Sequence, residues 1–311
     1  MNAIDVITQR VAELGPSRVL DRVVPDPNEI TFAFQAVEAR NEYGPFDVCR
    51  DVPVWAVVSL GRRDFLRPGD TWADAGTRRL IDPWPMHCLD YLESPLYLAH
   101  LDQGSAGGYL ELRSVGGAVS CSNGNHRLAA AIAWLVAKNG ADNAILNQVQ
   151  LTIAAADNKA IDQMLQLWRA GWHLSYRQDL DKGDYHIKAT GRHGIARVYK
   201  RVDSGFEHEM WMHPILNWWR QPKGFYTDPG GWRPYPECIL EAWDRRGEWG
   251  GWMGEGEAVS VNALAERVIA QKQADALRWS RARAAEHVDG LRRKEGALWH
   301  QVADAIGTKL S

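Results

Sequence analysis

Residues 120–140 read SCSNGNHRLAAAIAWLVAKNG, and no other stretch constrains the fold as tightly. An extended run has to become a helix within a few residues, because polar Ser122-Asn123-Gly124 gives way at once to helix formers. The pattern predicts a helix over Asn125–Asn139, with Lys138 complementing the dipole in the last turn and Gly140 as C-terminal cap. Ala129-Ala130-Ala131 carry little bulk, so the helix can pack tightly on a sheet. A strand that turns sharply into a helix aims unpaired backbone N–H groups at one spot, where the dipole adds partial positive charge. Such a spot suits an anion, and Arg127 in the first turn can add a bidentate clamp on phosphate. His126 can donate to the same oxygens or move a proton near neutral pH. Gly124 lets the backbone come close to a ligand. The plain alternative is a turn in which Asn123 or Asn125 merely caps the helix.

The flanking segments give this stretch a mixed α/β setting. MNAIDVITQRVAELG reads as a short amphipathic helix, and VPVWAVVSL (52–60) as a strand bounded by turn residues. MHCLDYLESPLYLAHLDQG is helical, with a break near Pro95 and a stop at Gly104. GGYLELRSVGGAVSCS gives two short strands around Val115-Gly116-Gly117, and NQVQLTIAAA (147–156) another strand. DNKAIDQMLQLWRAGW opens at an Asp cap and repeats Ile161, Leu165, Trp168 and Trp172 at helical spacing. The order from residue 86 is helix, strand, strand, helix, strand, helix.

Beyond it the character changes twice. Residues 183–202 form a β-hairpin pattern carrying Lys188, Arg192, Arg197, Lys200 and Arg201, the most basic surface in prospect. Of the 15 Trp, Trp211, Trp218, Trp219, Trp232, Trp243, Trp249 and Trp252 fall in one turn-rich block, suited to a core, an interface or stacking on bases and sugars. From about 260 the chain is almost wholly helical, broken at Gly290 and Gly296, and suited to pairing with a second copy. The expected fold class is therefore α/β (α+β). A small mixed-sheet domain covers 1–180, a Trp-rich module 181–258, and a helical tail 259–311.

Composition excludes some functions. A formal net charge of -3 gives no whole-surface attraction to nucleic acid, so DNA contact needs a local patch. No apolar run approaches the roughly 18 residues of a membrane span, and the first residues lack the basic start and apolar centre of a signal peptide. Cys49, Cys88, Cys121 and Cys238 are widely separated, which fits inert thiols in a reducing cytoplasm. His208-Glu209 followed by His213 is one residue too long for the H-E-x-x-H of a zinc hydrolase, and on a helix the extra residue turns the second His away. His186, His193, His208 and His213 together are the other metal-site candidates.

Strand, then Ser122-Asn123-Gly124-Asn125-His126-Arg127-Leu128-Ala129-Ala130, then helix, then NQVQLTI, resembles the core of the ParB/sulfiredoxin superfamily over roughly residues 86–156. Members carry a G-x-H-R or G-E-R-R box in this strand–turn–helix context. The resemblance implies phosphate binding by Ser122, Asn123, Gly124, Asn125, His126 and Arg127, and a nucleoside triphosphate with Mg²⁺ as ligand. Glu93, Asp102 and Glu111 are the nearest carboxylates in sequence for that cation. Asn125 stands where sulfiredoxins place a reactive Cys, and Asn125-His126-Arg127 replaces the Glu-Arg-Arg of partition proteins, so neither of those activities carries over. The expectation is a ParB-like nucleotide-binding protein acting on or around DNA. The alternatives are a metal-dependent nuclease or small-molecule kinase on the same fold, with His126 in acid–base work, and a non-catalytic regulatory module with a vestigial box.

Overall fold

The computed structural model describes residues 2–39, 45–62, 64–80, 84–96, 110–178, 184–192, 194–212 and 231–249. The chain divides into two compact units, Met1–Glu257 and Ala258–Ser311, and every described residue belongs to the first. Asp102, His193, His213, Trp218, Trp219 and Trp252 of the Trp block, and the tail from 259 lie outside the described residues.

The first part of the chain contributes α1 (Ala3–Leu14), α2 (Pro27–Gln35), β1 (Phe46–Pro53), β2 (Val57–Ser59), α3 (Trp72–Gly76) and α4 (Cys88–Glu93). Next come β3 (Glu111–Val115), β4 (Ala118–Asn123), α5 (Asn125–Asn139), β5 (Ile145–Ala154) and α6 (Asn158–Arg169). A run of strands follows, β6 (His173–Gln178), β7 (Tyr185–Thr190), β8 (Ala196–Arg201), β9 (Phe206–Met212) and β10 (Arg233–Pro234), before α7 (Glu237–Asp244). The order α4, β3, β4, α5, β5, α6 is the one expected from residue 86 onward. The β3–β4 turn is made by Gly116 at φ 60° and Gly117 at φ 96°, the two positive dihedrals that a tight hairpin requires.

One sheet runs β1-β5-β3-β4-β2 and is mixed: β1–β5 and β3–β4 are antiparallel, β3–β5 and β2–β4 parallel. The expected strand at 52–60 departs from this in an instructive way. β1 ends at Pro53, Val54–Ala56 make a 3₁₀ turn, and β2 continues from Val57. The first half of the segment pairs with β5 on one edge of the sheet, the second half with β4 on the other. A flat five-stranded sheet is about 19 Å across, four spacings of about 4.8 Å, and the four steps from Pro53 to Val57 reach at most about 14 Å. The sheet is therefore rolled, and the bent segment 46–59 closes it.

The second sheet, β10-β6-β7-β8-β9, is antiparallel throughout. The hairpin expected at 183–202 is its β7–β8 pair. Its β6 lies before position 180, so the boundary expected there separates two neighbouring strands of one sheet.

Two cores stack these layers. Beneath the rolled sheet, α5 is packed among α1, α3 and α4, with Leu128, Ala129, Ala130, Ile132, Ala133 and Val136 buried against Ile7, Trp72, Leu92 and Leu112. Gly76 of α3 comes so close to α5 that an added Cβ would lie 2.4 Å from Ala133 Cβ and 2.6 Å from the Ala129 carbonyl. The alanine run thus serves a helix–helix contact as well as the sheet. The second core lies between the sheets: Ile30 and Phe34 of α2, Ile161, Met164 and Leu165 of α6, and Ile239 and Trp243 of α7 fill the space between Val115, Ala118 and Ala154 on one side and Ile187, Ala189 and Phe206 on the other. Trp243 is fully buried and donates from Nε1 to the Val115 carbonyl at 2.9 Å, the core role open to the Trp block. No described helix is long and apolar enough to cross a membrane.

Candidate anion-binding site

β4 ends at Asn123, a single residue intervenes, and α5 begins at Asn125. That residue, Gly124, has φ 89° and ψ 36°, a left-handed conformation that is costly for any residue with a Cβ. Four other helices start on a side-chain cap: Asn2 for α1, Asp26 for α2, Thr71 for α3 and Asp157 for α6. α5 has none, and neither Asn123 nor Asn125 fills the role. Its first amides are left to whatever stands in front of the turn, with no acidic residue in the first turn to balance the dipole.

The six box residues are brought together but do different things. Ser122 is exposed and Asn123 half-buried at the end of β4. The Oδ1 of Asn125 accepts the Gly61 N–H at 2.6 Å, across 64 positions of sequence. Gly61 cannot carry a side chain there, since a Cβ would lie 2.4 Å from the Cys121 carbonyl. Asn125 is thus a clasp for the loop after β2, a role that leaves its side-chain Nδ2 and its backbone N–H for the turn. His126 is exposed and meets Phe65 of that loop edge-on, ring centroids 4.3 Å apart. Arg127 is half-buried and folds back over the turn, with Nε and Nη2 each 3.2 Å from where a Gly124 Cβ would sit.

Gly61 and Phe65 stand beside this turn and escaped sequence reasoning. A glycine directly after a strand is the signal that Gly61 offered, since close backbone approach needs one. The loop bearing Phe65 is anchored by Asp70, which accepts the Arg67 N–H at 2.7 Å and a bidentate pair from Arg79 at 2.6 Å each. The hydrogen bonds from Arg79 hold the Asp70 carboxyl below the usual carboxylate value, against the opposing effect of burial.

Burial pushes the Cys121 thiol up to about 12, and its Sγ donates to the Asn123 carbonyl at 3.2 Å. Among the carboxylates named for Mg²⁺, Glu111 lies beside Asn123 in the β3–β4 register, at the box end of the sheet. Glu93 does not: it accepts from Trp134 Nε1 at 2.8 Å and Lys138 Nζ at 2.6 Å, towards the far end of α5. Among the described residues no group of three or more His, Cys, Asp and Glu is arranged to hold a metal ion. Of the other candidate histidines, His186 faces Glu209 at 3.5 Å and His208 meets Tyr199 edge-on at 5.6 Å. His208 and Glu209 sit on a β-strand, the wrong element for a helical zinc motif.

Elsewhere, Lys188 and Arg177 stand 5.0 and 5.8 Å from the Trp232 ring centre, and Arg197 stacks 4.8 Å over Trp172. A cavity of about 300 Å³ between α6 and the second sheet is lined by Leu167, Trp172, Arg197, Tyr199 and Phe206 among others. Compared with known proteins, the chain matches no family model, no curated protein and no solved structure.

Proposed function

We propose that the protein binds the phosphate groups of a nucleoside triphosphate at the turn between β4 and α5. The observation that carries this is an uncapped helix start with a guanidinium folded onto it. Arg127 sits at the end of α5 where the dipole already places positive charge, an arrangement that an anion relieves and an empty site does not. The α5 amides would contact the phosphate oxygens, Arg127 would clamp one group bidentately, and the clasp from Asn125 to Gly61 would keep the Phe65 loop in place. Glu111, which pairs with Asn123 in the β3–β4 register, would be the carboxylate to share a Mg²⁺ arriving with a triphosphate, as such ions use one or two carboxylates. The resemblance to ParB and sulfiredoxin domains supports the same choice of ligand and an action on or around DNA. The Arg177–Lys188–Trp232 cluster supplies cations next to an aromatic face for such a partner. Beyond the exposure of His126, no observation favours nuclease or kinase chemistry.

Calorimetric titration with CTP, ATP and GTP in the presence of Mg²⁺ tests this. Binding of at least one nucleotide is expected, with Arg127→Ala weakening it by about tenfold or more, as for loss of a charge-assisted hydrogen bond. Absence of binding, or equal binding by the variant, removes the proposal.

A further inference from the structure

Tyr91 of α4 is 7% exposed, and no acceptor takes the hydrogen of its hydroxyl, since the Arg127 guanidinium beside it can only donate. Burial pushes the phenol's pKa up, and the neighbouring Arg127 guanidinium opposes that push. The guanidinium touching the Gly124 turn and the group beside the buried hydroxyl are therefore the same one.

The chemistry of this pair is asymmetric. A guanidinium has five N–H donors and no acceptor, so it can offer a hydrogen to the phenol oxygen but cannot take the phenol's own. The O–H of Tyr91 is left as a donor without an acceptor, in a place where water is largely excluded and positive charge is gathered. A buried donor of that kind is costly unless something accepts from it. An anionic oxygen standing between Arg127 and Tyr91, in front of the α5 amides, would satisfy all three.

Resting on the anion-site reading above, we propose that Tyr91 is a further binding residue of the site, and that the group it accepts is a terminal phosphoryl. A hydroxyl so deeply buried is reached only by a group that enters end-on. The last phosphate of a nucleoside triphosphate or of an inorganic polyphosphate has this shape. A backbone phosphodiester does not, because it is flanked by sugars on both sides and needs an open groove.

The test uses the full chain, wild type and Tyr91→Phe, titrated with inorganic triphosphate plus Mg²⁺, with ATP plus Mg²⁺, and with the diester thymidylyl-thymidine. Each protein is also melted without ligand. Both triphosphates are expected to bind the wild type and the diester to give no heat. Tyr91→Phe is expected to weaken triphosphate binding by about ten- to a hundredfold, the range for a hydrogen bond to a charged group. Its melting temperature is expected to equal or exceed that of wild type, because the ring packing stays and an unsatisfied hydroxyl goes. Binding of ATP without inorganic triphosphate would place recognition in the nucleoside and overturn the assignment, as would equal binding of the diester. A lower melting temperature would mean that the hydroxyl serves the fold instead. If wild type binds no triphosphate, the anion-site reading fails and takes this proposal with it. If wild type binds and Tyr91→Phe binds equally, only the role of Tyr91 falls.

Discussion

Gly124 is the residue on which the candidate site turns. Substituting Ala there forces a left-handed backbone on a residue with a Cβ and drives that Cβ to 3.1 Å from Leu110 Cδ1 and 3.2 Å from the Arg127 guanidinium. Gly124→Ala should cost about 1–2 kcal/mol and move Arg127 off the turn, read as a lower urea midpoint together with weaker triphosphate binding. The cysteines make a second prediction at this scale. Cys88, Cys121 and Cys238 are buried, with burial holding Cys121 near 12 and Cys238 near 11, while Cys49 is half-buried. At pH 8 a thiol reagent should label Cys49 ahead of the other three, which should react fully only after denaturation; rapid labelling of Cys121 in the native protein, followed by mass spectrometry, would contradict it. Single residues were legible in the sequence wherever their role is local. Gly124, Gly140 and Asp157 punctuate helices through their own backbone or their own next turn. Gly61, Phe65 and Tyr91 were not legible, because each owes its place to a partner dozens of positions away.

At the level of elements, the molecule is held by close backbone approach and by a buried carboxylate. Gly76→Ala should cost about 1–3 kcal/mol, since α3 and α5 must separate to admit one methyl group. A thermal melt with little change would show that α3 yields easily. Asp157 caps α6 through the Ala160 N–H and also receives Arg201 Nη1 at 2.6 Å and the Gly205 N–H at 2.5 Å, which ties the β8–β9 turn to the helix. Burial pushes its carboxyl up, but the Gly205 and Ala160 amides and Arg201 more than offset this, and the net direction is down. A carboxyl whose folded pKa is depressed stabilises the fold fully above its unfolded value, close to 3.8, and loses that contribution as pH falls through the folded one. Stability should therefore drop on the acid side of pH 4 through Asp157 and Asp70 together. Asp157→Asn should lower stability at pH 7 and flatten the acid limb of a melting-temperature profile. Removing the carboxylate altogether with Asp157→Ala should cost about 1–3 kcal/mol, because the buried Gly205 and Ala160 N–H groups lose their acceptor. Helices were readable here because their caps and spacing are written in consecutive residues. The segment 52–60 was readable as extended but not as two strands on opposite edges, since nothing in its apolar run says which partner each half finds.

Across the whole described unit, the two sheets share the core built on α2, α6 and α7 and should unfold together. Hydrogen-exchange protection of β5 and of β8 should be lost at the same urea concentration, and Trp243→Phe, which deletes the bond to Val115, should lower both by the same amount. Independent loss of β8 would instead support a division near residue 180. The rolled sheet has a consequence in time as well as in space. Its closing segment pairs Phe46 with Ile153 and Val57 with Val119, and runs directly into Gly61, whose amide is held by Asn125. Contacts so distant along the chain form late, after the entropy of long loops has been overcome. A chain still leaving the ribosome would have its box helix early, yet no completed site until β5 has emerged and the roll has shut.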